Sequence, residues 1–294
     1  MIESSENHPE FMKELQGVNP AADRLINQDD DWYFADKKHV SNSMLKIFQQ
    51  SGIKNYDCYL KSELKIKSKA LDIGSAFHCL ILEPEYFHER FFILDDTEIC
   101  DSVSGKGWKA KGKKPRSTKG YKDWYADNIQ EIEDNPGITI ISNEEMNTLK
   151  KMEQALSNIP EVVNLIQSCD ETETIYYNEL NGVKVKSKVD LHKYGQFVGD
   201  LKTTSTSVKE FIKSCYKYKY DQQAGFYSDV VNVPRFIFIV VESIYPHNVG
   251  VFECSEDFLQ RGRDSYQKGL NDLNDYLKND KFNVNDFYFR ETLH

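Results

Sequence analysis

Residues 182–204 read GVKVKSKVDLHKYGQFVGDLKTT. In the first half Val183, Val185, Ser187, Val189 and Leu191 alternate with Lys184, Lys186, Lys188 and Asp190. That period of two predicts a half-buried strand with one charged face, and the charged face ends in an acid. In the second half the apolar pair Phe197 and Val198 runs through Gly199 into Asp200, Leu201 and Lys202, a second strand. Lys193-Tyr194-Gly195 supplies a turn between them, and Asn181-Gly182-Val183 supplies another back to TETIYYNEL at 172–180. Folded as a hairpin, the two strands bring Asp190 and Asp200 to the same edge of a sheet, and Asp200 and Lys202, two residues apart, project from one face.

Two carboxylates that converge in a cleft suit a hard divalent cation such as Mg²⁺ or Mn²⁺, which takes oxygen ligands. A neighbouring lysine can orient a water and offset charge on a phosphate. An isolated D-x-K is common and reads equally well as a salt-bridged strand end. The case for chemistry comes from the second acid, the hairpin and the helix that follows. That helix carries Tyr220, Gln223 and Tyr227 at spacings of three and four, hence on one face. Gln223 on the sheet side must find hydrogen-bond partners; Tyr227 is explained nearly as well by packing alone.

The surrounding pattern is α/β. Residues 1–38 are polar and acidic without periodicity and are expected to form a loosely ordered arm, with a single domain over 39–294. HVSNSMLKIFQQSG at 39–52 predicts a short helix that stops at Gly52. KALDIGSAFHCLILEPEYF predicts a second, through Ala70, Ile73, Phe77 and Leu80, ending at Pro84. Ser142 and Glu145 have the spacing of a capping box at the start of another. A helical stretch at 207–232 breaks near Tyr218–Asp221. RFIFIVVES at 235–243 is a central strand buried on both faces, NVGVFECS is a further strand, and an amphipathic helix spans about Ser255 to Lys278.

At 294 residues, 39% hydrophobic and 29% charged, the composition is that of a folded globular chain. No apolar run approaches a membrane span, and the N-terminus MIESSENHPE has neither the basic nor the apolar region of a signal peptide, so the expected location is the cytoplasm and no membrane partner is expected. The six cysteines stand singly, without zinc-module spacing, and read as reduced thiols. A net charge of −10 excludes a protein that coats nucleic acid over its whole surface but says little about one groove. Against that acidic background, residues 102–122 hold eight Lys/Arg and no acid. Gly, Pro and Ser punctuation makes about 103–122 a basic loop, either simply solvated or an arm that touches phosphates.

D-x9-D-x-K across a hairpin, followed by a helix with Y-x2-Q-x3-Y, resembles the PD-(D/E)XK nuclease superfamily, whose core is a mixed central β-sheet flanked by helices. More narrowly, the chain resembles the RecE-type exodeoxyribonuclease VIII group and its phage relatives. GSAFHCLILEPEYFHERF at 74–91, SNSMLKIFQQSG at 41–52 and YDQQAGFYSDVV at 220–231 match that group's segments, and the likeness spans about 40–260. By this resemblance His78, Asp190, Asp200 and the backbone carbonyl of Leu201 are metal ligands for one or two Mg²⁺ or Mn²⁺ ions. Lys202 is the catalytic lysine, acting with Asp190 and Asp200, while Gln223 and Tyr227 position the scissile phosphate and the attacking water. Val189 stands where the superfamily's nominal Pro would be, and the second acid is Asp rather than Glu. Glu171 or Glu173 could stand in for an upstream acid of relatives, and the sequence does not choose between them.

The resemblance implies an exonuclease on linear double-stranded DNA ends in a bacterial or phage-infected cytoplasm, digesting 5′ to 3′ and leaving 3′ overhangs for recombination. It also implies a ring-shaped homo-oligomer and a single-strand annealing protein as partner. Positive charge for a DNA channel is expected from Lys184, Lys186 and Lys188 or from the 106–122 loop. Alternatives are a catalytically inactive nuclease fold serving as a DNA-binding or recombination adaptor, and a restriction-like endonuclease. The iron–sulfur branch of these nucleases needs a C-terminal cysteine cluster, which is missing here.

Overall fold

A computed structural model describes residues 23–25, 30–62, 69–94, 119–135 and 137–279. In chain order the first elements are β1 (Asp23–Leu25), α1 (Asp30–Ala35), β2 (Val40–Ser41), α2 (Asn42–Leu60), α3 (Lys69–Leu82), α4 (Phe87–Arg90) and β3 (Phe91–Leu94). Next come α5 (Lys119–Asn128), α6 (Gln130–Glu133), β4 (Thr139–Ser142), α7 (Asn143–Ser157) and α8 (Pro160–Gln167). The last group is β5 (Glu171–Leu180), β6 (Val183–Lys193), β7 (Phe197–Thr204), α9 (Phe211–Tyr218), α10 (Tyr220–Val231), β8 (Arg235–Glu242), β9 (Val249–Glu253) and α11 (Glu256–Asn279).

Among the described residues, seven strands form one mixed sheet in the order β1-β5-β6-β7-β8-β9, with the short β2 parallel to β6. The two expected hairpins are present. Asn181 and Gly182 both take left-handed φ, 52° and 72°, the conformation a two-residue turn between β5 and β6 demands. Gly195, at φ 65°, closes β6 onto β7. β8 lies parallel to β7 and antiparallel to β9. Its continuous apolar run follows from burial on both sides: Phe236, Phe238 and Val240 enter one core, Ile239 and Val241 the other.

The first core joins that face of the sheet to Met44 and Leu45 of α2, Phe226 and Val230 of α10, and Leu259 and Leu270 of α11. The second joins the opposite face to Phe77 of α3 and Leu149 and Met152 of α7. Helices on both faces of a mixed sheet are the fold class expected from the pattern. In α7 the capping box is complete, the Ser142 hydroxyl accepting from the Glu145 amide and the Glu145 carboxylate from the Ser142 amide.

Several expectations change. The first helical segment does stop at Gly52, at φ 72°, but a second one follows directly across this kink to Leu60, so α2 is two helices end to end. Within the expected arm, β1 pairs antiparallel with β5, and α1 sits beside β6 because the Lys186 ammonium, 2% exposed, donates to the carbonyls of Tyr33 and Asp36. Lys186 is therefore buried and cannot line a DNA channel. Most of the expected basic loop lies outside the described residues, and 119–122 open α5 rather than continue a loop. The parallel pair β3–β4 and the helix α8 were not anticipated. Cys58, Cys79, Cys169, Cys215 and Cys254 are free thiols. No helix among the described residues is long and apolar enough to cross a membrane.

Candidate active site

The β6–β7 ladder pairs Lys193 with Phe197, His192 with Val198 and Leu191 with Gly199, and stops there. Asp190 and Asp200 occupy the next register position, where the two strands part and β7 continues beside β8. The Leu201 amide loses its strand partner on that side and donates instead to Asp190 Oδ2 at 2.7 Å. A carboxylate thus replaces a ladder carbonyl, which fixes Asp190 without closing the cleft.

The same place disturbs the neighbouring hairpin. Val189 packs in one core and Leu191, two residues on, in the other, so the in-out alternation of β6 slips at Asp190. On β5 the partner position, Glu173, takes φ 50°, left-handed backbone that is strained for a non-glycine residue. The outcome is that Glu173 and Asp190 both face α3 and His78.

His78 Nδ1 lies 3.3 Å from Asp190 Oδ2 and 3.8 Å from Glu173 Oε1, and Lys188 Nζ lies 2.7 Å from Glu173 Oε2. Burial alone would lower the imidazole pKa, but Asp190 and Glu173 reverse this and raise it to about 9. Asp190 is pushed up to about 7, first by burial and then by the neighbouring Asp200 and Glu173 carboxylates. Glu173 moves the other way, to about 2, because hydrogen bonding and charge from His78 and Lys188 overcome its burial.

On the other side of Asp190, Lys202 forms an ion pair with Asp200 Oδ2, and the Gln223 amide donates to Asp200 Oδ1. Burial would deprotonate Lys202, yet Asp200 raises its pKa and keeps it an ammonium. The Lys202 ammonium also lies 5.0 Å from the centre of the Tyr220 ring. Tyr227, one turn beyond Gln223, packs against Phe236; burial, then Tyr33 and the surrounding acids, hold its phenol protonated. Gln223 is aimed by close helix packing. A Cβ on Gly262 of α11 would fall 1.9 Å from the Asp221 carbonyl oxygen, and Gln222 bridges Asn42 of α2 and Ser265 of α11.

The structure therefore gathers His78, Asp190, Asp200, Lys202, Gln223 and Tyr227 around the point in the middle of the sheet where β6 and β7 part, with Leu201 held between the acids through its amide. Glu173 joins them, and Glu171 does not: its carboxylate accepts from Tyr176 and Tyr194 instead. The turn could have decided this. Leu180 and Val183 flank the two-residue turn, and counting back along both strands places residue 173 opposite Asp190. Lys188 and Lys46 were also missed as site neighbours. Lys188 neutralises Glu173, and Lys46 is lowered to about 8, by burial and then by Lys202. Neither has a motif, since an alternating lysine and a helix-surface lysine are ordinary.

His78, Glu173 and Asp190 present ligand atoms all within 4.8 Å of one another. Two carboxylates and an imidazole at this spacing, one carboxylate driven towards protonation by its fellows, fit a divalent cation.

A protein-family model described as a PDDEXK-like domain of unknown function (DUF3799) matches residues 41–285. Among solved structures, a candidate exonuclease from Eubacterium rectale superposes with a TM-score of 0.56 at 15% identity, over 88% of this chain and 89% of that one. At that identity the likeness concerns the fold alone. The protein SSO0001 covers 82% of this chain and 87% of its own at 11% identity, but its TM-score of 0.27 carries no argument. No curated protein matches the chain.

Proposed function

This chain belongs to the family of PDDEXK-like domains, and on that premise we propose that it is a metal-dependent nuclease that hydrolyses phosphodiester bonds of linear double-stranded DNA. The observation that carries the reading is the juxtaposition of the His78, Glu173 and Asp190 donors with the Lys202–Asp200 pair where the central strands β6 and β7 part. His78, Glu173 and Asp190 would hold Mg²⁺ or Mn²⁺, with Asp200 and the Leu201 carbonyl as the further ligands that the family resemblance implies. A bound divalent cation supplies Lewis acidity, activating water and offsetting charge on the phosphate. Lys202, kept protonated by Asp200, orients the attacking water and donates to the phosphate. Gln223 holds Asp200 in place, and the Tyr227 phenol is a donor to a phosphate oxygen.

The finer reading follows the RecE-type resemblance: an exonuclease that digests from 5′ ends and leaves 3′ overhangs for recombination, as a ring-shaped oligomer working with a single-strand annealing protein in the cytoplasm. The test is incubation with Mg²⁺ of duplex DNA labelled at either end, beside a covalently closed circle. Early release of 5′ label with the circle intact supports the exonuclease and its polarity. A cut circle makes the protein an endonuclease, and no cleavage with Mg²⁺ or Mn²⁺ makes it an inactive adaptor.

A further inference from the structure

Lys184, Lys186 and Lys188 or the 106–122 loop are the expected DNA contacts, but Lys186 and Lys188 are engaged by Asp36 and Glu173. The described surface shows positive charge elsewhere. Residues 208–219, VKEFIKSCYKYK, hold four lysines and one acid in a chain whose acids outnumber its bases. Here α9 buries Phe211 and Cys215 and turns outward Ile212, Tyr216 and, at its end, Tyr218, which are 49%, 57% and 47% exposed. Large aromatic side chains at that exposure, interleaved with Lys217 and with Lys213, which pairs with Glu210 on the exposed surface, are not explained by packing.

The strip leads into the site. The Tyr218 ring lies 5.8 Å from Tyr220, and Tyr220 in turn lies beneath the ammonium of Lys202. Lys46 Nζ, electrostatically coupled to Lys202 and Asp200, anchors the start of this path by donating to the Tyr218 carbonyl at 2.7 Å. At the outer end Arg261, ion-paired with Asp221 at 3.0 Å, sits 5.0 Å from the Tyr216 ring. Cations beside stepped aromatic rings match a single-stranded polynucleotide, whose phosphates meet the ammonium groups while its unpaired bases stack on the rings; a duplex offers no free base faces.

We infer that α9 and the turn into α10 form a stacking platform for single-stranded DNA that feeds or receives the strand handled at Lys202, an inference that rests on the nuclease reading.

The test pairs two measurements on the full chain. Binding of a fluorescent 12-nucleotide oligo(dT) is measured in EDTA, where nothing is cleaved, and hydrolysis of bis(4-nitrophenyl) phosphate is measured with Mg²⁺ or Mn²⁺. Tyr216→Ala with Tyr218→Ala is expected to weaken oligonucleotide binding at least about tenfold, since two stacking faces are lost. The corresponding Tyr→Phe pair keeps wild-type affinity, Lys217→Gln flattens the salt dependence by about 0.7 in log–log slope, and all hydrolyse the small diester as the wild type does. Unchanged oligonucleotide affinity in the alanine pair, or no binding by the wild type, overturns the platform and leaves the nuclease reading standing if the diester is hydrolysed. Loss of binding in a chain that hydrolyses no diester keeps the platform and removes the nuclease reading. A changed oligomeric state with unchanged affinity makes this face a contact between copies and overturns the inference.

Discussion

A glutamate held at positive φ shows how the site is built residue by residue. Glu173 accepts a strain of order 1 kcal/mol so that its carboxylate can share His78 with Asp190. Glu173→Gln is expected to weaken Mg²⁺ or Mn²⁺ binding by about tenfold or more, measured by calorimetry at pH 8. The pH dependence has a definite sign. In the metal-free protein Asp190 titrates at about 7 and His78 at about 9, both above their ordinary values. A raised group contributes stability that is complete below its unfolded pKa and lost as pH rises through the folded one. For Asp190 the loss spans about pH 4 to 7 and for His78 about 6.5 to 9. The melting temperature in EDTA should therefore fall across this range, while metal binding, which needs both groups deprotonated, strengthens; the gain from added Mg²⁺ should be larger at pH 9 than at pH 6. A gain that is flat or reversed would remove these groups from the metal site. For Lys202→Ala, multiple-turnover cleavage should drop by about 10²-fold or more while binding of linear duplex DNA in EDTA is retained.

At the scale of elements, those that declare themselves through local chemistry are legible in the sequence. The Asn181-Gly182 turn, the Ser142–Glu145 capping box and the apolar run of β8 each follow from one residue type meeting one backbone requirement, and the Asp190/Asp200/Lys202 edge follows from the two hairpins. Gln223 and Tyr227 follow from their spacing on one face of the helix after that edge, whereas His78 is reached only through the family pattern, because a lone histidine on a helix has no local signature. Elements whose stability comes from distant partners were illegible. A second helical segment follows the break at Gly52 with Ile53 and Tyr56 buried in the first core, and β3 and β4 find each other across more than forty residues. The packing of α10 on α11 depends on such a tertiary requirement at Gly262. Gly262→Ala forces α10 outward and is expected to cost about 1–3 kcal/mol in urea denaturation, with a loss of cleavage greater than Ser142→Ala produces. The latter removes a cap worth about 1 kcal/mol at a helix that does not touch the site.

In the whole molecule one sheet separates two cores and carries the reactive groups where two of its strands diverge, so the site is braced from both sides while its edge stays open. The N-terminal segment contributes to this brace. Its carbonyls at Tyr33 and Asp36 satisfy the buried Lys186 ammonium, and the Tyr33 ring covers it at 4.4 Å. In the full chain Lys186→Leu leaves those two carbonyls without their donor and is expected to cost about 1–3 kcal/mol in the same denaturation assay. The β5–β6 hairpin has a further consequence, for which lengths this protein can vary. Glu173 and Asp190 face each other only because equal numbers of residues separate each from the Asn181-Gly182 turn. The turn itself can lengthen without moving them. A single inserted or deleted residue within either strand, however, brings Thr172 or Thr174 opposite Asp190 and dismantles the donor set, so length changes among descendants of this chain should collect at the hairpin tip and be purged from the strands below it.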